Sequence, residues 1–236
     1  MRAPTNAEKN VAYRLAKHST RKAEAKAELA SRWSSDLAKL LDCHELIYCV
    51  LVSIQYRFIS KDVSLTPEKA QLTLTVNSIF KGVDLTVNAV SGGYYSQAHN
   101  LIKQEMETIA ACIEIVEGSR KDSKTPSVSR LEDGIKKQYG ILNSVAHVGD
   151  SAALQNTNLV LSKDGFGQAS SVPQYKKRLA HYLFSLHIAL LVRLARIMID
   201  QFGEEDGDDV TLQEEKLLNG SERLLQEEIA RMHDHS

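Results

Sequence analysis

An all-α fold, a bundle of about six or seven helices, is what this sequence predicts, and three observations predict it. Apolar residues recur at spacings of three and four along nearly the whole chain. Strand-like alternation surfaces only at Gln71–Val76 (QLTLTV), inside a pattern that continues helically. The four prolines, Pro4, Pro67, Pro126 and Pro173, fall at or near the starts of candidate helices. There the missing N–H has no helical partner to lose. With 236 residues, 43% hydrophobic and 25% charged, the chain can bury a sizeable core without staples.

Three regions are expected. Residues 1–60 read as one long helix or two consecutive ones, a thinly striped arm that enters the core near Leu37. The arm, to about Trp33, is rich in Ala, Lys, Glu and Arg, forms helix readily and buries little. Residues 64–202 read as the helical bundle core. Thr66 is an N-cap, Pro67 the first helical residue, and Glu68 an acid in the first turn. That helix runs to about Val90, with Leu72, Val76, Ile79, Phe80, Val83, Leu85 and Val87 as its apolar surface, until Gly92-Gly93 breaks it.

A helix from Tyr94 to about Glu117 follows, with Ala98, Leu101, Ile102, Met106, Ile109, Ala110, Ile113 and Val116 on its apolar face. After the polar loop Ser119–Ser129, Ser129 and Glu132 have capping-box spacing for the next helix, which carries Ile135, Tyr139, Leu142, Val145 and Ala146. Residues 150–172 read as irregular, and their DGFG lacks the Lys-Ser/Thr of a phosphate-binding loop. The most apolar helix spans Gln174 to Phe202. Residues 203–236 read as an acidic linker and an amphipathic helix over about Val210–Met232, with a kink expected at Asn219-Gly220.

The net charge of −1 gives no whole-molecule reason to expect nucleic acid or an anionic membrane. Charge is uneven, however: residues 1–32 are basic and the tail from Gly203 is acidic, both reading as solvated helix faces. Leu46–Ile54 is too short to span a bilayer, and Leu179–Ile199 is interrupted by His181, Ser185, His187, Arg193 and Arg196. A central bundle helix is therefore preferred and a membrane partner disfavoured. Cys43, Cys49 and Cys112 lie in apolar helical patterns, and free buried thiols fit a reducing, cytoplasmic location. No apolar h-region follows the first Met.

No G-x-S-x-G, H-E-x-x-H, Glu-x-x-His or CxxC is present, so no metal and no cofactor are expected. His44, His233 and His235 stand isolated. One polar constellation is worth following: Lys103, Glu107, Tyr139, Asn143 and His147. Lys103/Glu107 and Asn143/His147 are each four apart, on two helices that flank one loop and so pack antiparallel. Such a set suits general acid–base work, with His147 near neutral pKa and Lys103 stabilising an anion. The same residues also suit a hydrogen-bonded network with Lys103 paired to Glu107.

Leu101–Glu107 (LIKQEME) resembles the L-L-R-x-x-x-E segment of uncharacterised, mostly bacterial, all-helical proteins, and Gly93–Ala98 (GYYSQA) resembles its lead-in. The later Y-x-x-L-S-x-x-x-H segment of that family is matched by Tyr139, Leu142, Asn143 and His147. Asn143 stands where the family has Ser, and Lys103 where it more often has Arg. The resemblance covers residues 66–202 and extends to the HEPN helical domains. It implies a HEPN-like core with a long N-terminal helix. Many HEPN proteins are dimeric, metal-independent RNases of toxin–antitoxin and phage-defence systems, marked by Arg, four to six residues, then His. Here Arg14/His18 and Arg178/His181 are too close, and Arg178/His187 too far apart.

Three functions are thus expected in order. The first is an interaction or oligomerising protein in a defence or stress context, meeting a second copy or a protein partner through its N- and C-terminal helices. The second is an RNase or nucleotide-handling enzyme using His147, with RNA as partner. The third is a membrane-associated helical protein. Whether the chain is an enzyme is left open.

Overall fold

Ser34 and Ser35 decide how the long N-terminal segment is shaped. A computed structural model describes residues 6–59, 66–146, 151–161, 167–202 and 208–234. The first helix, α1 (Asn6–Asp36), meets α2 (Ala38–Ile59) at Leu37. Helical bonding passes through this point, from the Leu37 N–H to the Trp33 carbonyl and from the Leu41 N–H to the Leu37 carbonyl. The Ser34 and Ser35 hydroxyls donate back to the carbonyls of Ala30, Ser31 and Arg32. Serines bonded this way bend a helix. Leu29 and Trp33 are already buried, so the chain enters the core two turns before Leu37.

The N-cap of α3 (Pro67–Ser91) is as the sequence reads: Thr66 Oγ1 accepts from the Lys69 N–H at 3.3 Å. The helix stops at Gly92-Gly93. Gly93 has φ +70°, and a Cβ there would lie 2.9 Å from the Gln174 carbonyl oxygen, so both backbone angle and space require glycine. Leu85, expected on the apolar face, is exposed.

Helix α4 (Tyr95–Val116) buries Ala98, Ile102, Met106, Ile109, Ala110 and Ile113, whereas Val116 is exposed. The capping box at Ser129 does not form. Ser129 lies in a 3₁₀ turn (Val128–Arg130) and its hydroxyl bonds Ser127 Oγ at 2.7 Å. Buried Leu131 holds an extended conformation between that turn and α5, which starts at Asp133 and ends at Ala146.

Within the stretch read as irregular, residues 151–161 and 167–169 hold regular structure. Helix α6 (Ser151–Asn158) leads into strands β1 (Leu159–Leu161) and β2 (Gly167–Ala169), an antiparallel pair with Val160 opposite Gln168. Three-residue strands are too short to show a period of two. Asp164, Gly165 and Phe166 of the DGFG stretch lie outside the described residues. Lys176 anchors this segment, its Nζ on the Leu159 carbonyl at 2.8 Å and its N–H on the Tyr95 hydroxyl at 2.9 Å.

Helix α7 (Lys177–Phe202) begins three residues later than expected and is the central element. Leu183, Phe184, Ile188, Leu190, Leu191 and Leu194 are fully buried. Among the described residues it alone is long and apolar enough to cross a membrane, and most of that length is covered by protein. Its arginines reach the rim: Arg193 meets Glu132 at 3.6 Å, and Arg196 forms a two-point bond with Glu222 at 3.0 and 2.8 Å.

Helix α8 (Asp208–Asp234) runs through Asn219-Gly220 as one helix and packs on α2 and α7. Leu218 and Leu225 are buried, but Leu212, Leu217 and Ile229 are exposed. Ser221, wholly buried, donates to the Cys43 carbonyl at 3.1 Å and closes the α8–α2 seam. Cys43 and Cys112 are buried free thiols, while Cys49 is exposed, contrary to expectation. One apolar cluster draws on α1–α5, α7 and α8. The fold is thus an all-α multi-helix bundle carrying one short β-hairpin.

Candidate functional site

Three of the five expected residues meet. Helices α4 and α5 pack together, and the Tyr139 hydroxyl donates to Glu107 Oε1 at 2.6 Å. Lys103 Nζ lies 3.5 Å from the same oxygen and 5.8 Å from the centre of the Tyr139 ring. Burial, then the Glu107 carboxylate, pushes the Tyr139 phenol up to about 12. It therefore stays a hydrogen-bond donor at neutral pH. Phenol, carboxylate and ammonium satisfy one another, which makes the trio a clamp between α4 and α5. Glu107 also lines a polar groove of about 510 Å³ with Gln71, Thr75, Ser78 and Gln104.

Asn143 sits one turn beyond Tyr139 on α5, half-buried. Among the described residues no hydrogen bond joins it to the trio. His147 lies outside the described residues.

A second polar cluster was not expected. Where α3, α4 and α7 meet, Glu105 Oε2 lies 2.9 Å from His187 Nδ1, and Glu105 Oε1 accepts the Thr86 hydroxyl at 2.6 Å. Glu105 is 5% exposed, His187 0% and Thr86 1%, so solvent does not reach them. Helix α2 adds His44, whose ring stacks on His187 with centroids 5.4 Å apart. Burial, then His187, pushes the His44 imidazole down to about 4, so it is neutral at pH 7. The Nε2 atoms of His44 and His187 are buried with no hydrogen-bond partner. This cluster knots four helices together around the buried Glu105–His187 pair.

The signal for this knot was in the register. Glu105 continues the buried 98–102–109 stripe of α4, and His187 continues the 183–184–190–191–194 stripe of α7. An ionisable residue in an apolar register must find a partner, because burying an unpaired charge costs several kcal/mol. Glu114 was missed in the same way. At 8% exposure it accepts the Ser127 N–H at 2.7 Å and Arg120 Nη1 at 3.1 Å, stapling the α4–α5 loop.

Among the described residues, no three His, Cys, Asp or Glu side chains are placed to hold a metal ion. The chain matches no family model, and no curated protein and no solved structure is significantly similar to it.

Proposed function

We propose that this chain is a self-associating helical interaction protein whose basic N-terminal arm docks on a second copy. The observation that carries this is the course of one stripe along α1. Trp33 and Leu29 are buried in the bundle. Ala25, Lys22, His18, Leu15 and Val11 continue the same stripe at spacings of three and four, past the end of its seat. Leu15 is 64% exposed and Val11 67%, and residues 9–28 are exposed apart from half-buried His18 and Ala25.

Val11 and Leu15 stand in water past the end of the seat, so the arm gains by being covered. Charge favours a second copy as the cover. Between residues 9 and 32, Lys9, Arg14, Lys17, Arg21, Lys22, Lys26 and Arg32 stand against only Glu24 and Glu28, whereas the tail from residue 203 holds eleven acidic against three basic residues. The arm of one copy laid on the tail of the other gives a closed two-fold pair. The HEPN-like resemblance, whose members usually act as dimers, supports the same reading.

Size-exclusion chromatography with light scattering tests it. The double variant Val11→Glu/Leu15→Glu changes only exposed positions and is expected to convert a dimer into a monomer that keeps its helical circular dichroism and cooperative unfolding. A wild-type monomer at all concentrations, or a variant dimer as tight as wild type, would refute the proposal.

A further inference from the structure

A cleft of about 610 Å³ opens between α5, α7 and α8. On α7, Arg178, His181, Tyr182, Ser185, Leu186 and Ala189 face it at spacings of three and four. On α5 and α8, Ile135, Gln138 and Ile229 close it. Its wall is mainly apolar, and its volume falls in the range of small-molecule sites, roughly 300–1,000 Å³.

Two polar features point to a ligand. His181 is 5% exposed, lines the cleft, and its Nε2 is buried with no hydrogen-bond partner. Its Nδ1 lies 3.4 Å from Ser185 Oγ; where that hydroxyl donates, the proton sits on Nε2 and has no acceptor among the described residues. One turn nearer solvent, Arg178 is exposed and forms no ion pair among the described residues. Gln138 Oε1 already accepts the Tyr182 hydroxyl at 2.7 Å, which leaves the Gln138 amide as a further donor. The acid on the α8 side, Glu228, is engaged by Lys39 at 3.6 Å and by Arg231.

We infer that this cleft binds a carboxylate-headed amphiphile of fatty-acid type, its head between Arg178 and His181 and its tail along Ile135, Leu186, Ala189 and Ile229. Arginine offers a carboxylate a planar two-point contact. The Gln138 amide supplies a third donor. The apolar wall takes up a chain that would otherwise be in water.

Isothermal titration calorimetry with decanoate and decan-1-ol tests the assignment. Wild type is expected to bind decanoate saturably, one per chain. Arg178→Ala is expected to weaken decanoate binding about tenfold or more, the worth of a charged hydrogen bond, and to leave decan-1-ol unchanged. Ala189→Trp fills the cleft and is expected to abolish binding of both. No saturable decanoate binding by wild type, or Arg178→Ala binding decanoate as tightly as wild type, would overturn the inference. Arg178 is on the surface, so that variant decides the matter even where Ala189→Trp does not fold.

Discussion

Nδ1 of His187 lies 2.9 Å from Oε2 of Glu105, and neither side chain meets solvent. A carboxylate only accepts, so the imidazole donates, and Thr86 occupies the other oxygen. Removing one partner strands the other in the core. His187→Leu is therefore expected to cost about 3–5 kcal/mol in urea denaturation. The double variant Glu105→Leu/His187→Leu is expected to fall short of the sum of the singles by about 1–3 kcal/mol. Additive losses would mean the two do not depend on each other.

The half-buried His44 ring makes stability fall in acid. Its folded-state pKa of about 4 lies below the ordinary 6.5, so the unfolded chain binds its proton first. The stability tied to His44 is fully present above pH 6.5 and is lost as the pH falls toward 4. His99 and His181 are shifted down by burial too, so they add to the same slope. His44→Leu is expected to flatten the loss of melting temperature between pH 7 and 4.5 without removing it. An unchanged slope would mean that His44 is not the neutral base described.

Tyr139 clamps α5 to α4 through Glu107. Tyr139→Phe keeps the ring and deletes only the 2.6 Å bond, so a loss of about 0.5–1.5 kcal/mol is expected. Adding Glu107→Gln to Tyr139→Phe is expected to cost less than Glu107→Gln alone, because their shared bond is already gone and only the Lys103 pair remains to be lost. Denaturant midpoints of the two singles and the double variant check this. A full independent cost for Glu107→Gln would show that Lys103, not Tyr139, is its main partner.

The three thiols differ in reach. Cys49 is exposed, whereas Cys43 and Cys112 are buried, and burial pushes the Cys112 thiol up to about 12. One thiol per chain is expected to react quickly with a disulfide reagent such as Ellman's, and three after unfolding. Cys49→Ser is expected to remove the fast phase. A fast phase that survives would place Cys43 or Cys112 within reach of solvent.

The helical periods were legible because the core is built from them. Thr66-Pro67 and Gly92-Gly93 marked the ends of α3 through local chemistry that packing does not override. The start of α5 was not legible, since buried Leu131, a tertiary contact, moved it from Ser129 to Asp133. Lys103, Glu107 and Tyr139 could be grouped from spacing on two adjacent helices. Glu105 and His187 are 82 residues apart, and neither has a local sequence partner to announce it. The cleft at His181 needs α5, α7 and α8 together, a juxtaposition no single stretch encodes.

The most direct measurement for the arm-on-second-copy account is sedimentation equilibrium of the wild-type chain at low and high salt. The account predicts a species of twice 26.3 kDa at 50 mM salt that dissociates toward monomer at 500 mM, because a basic arm on an acidic tail is screened. A single 26.3 kDa species at both salt concentrations would contradict it.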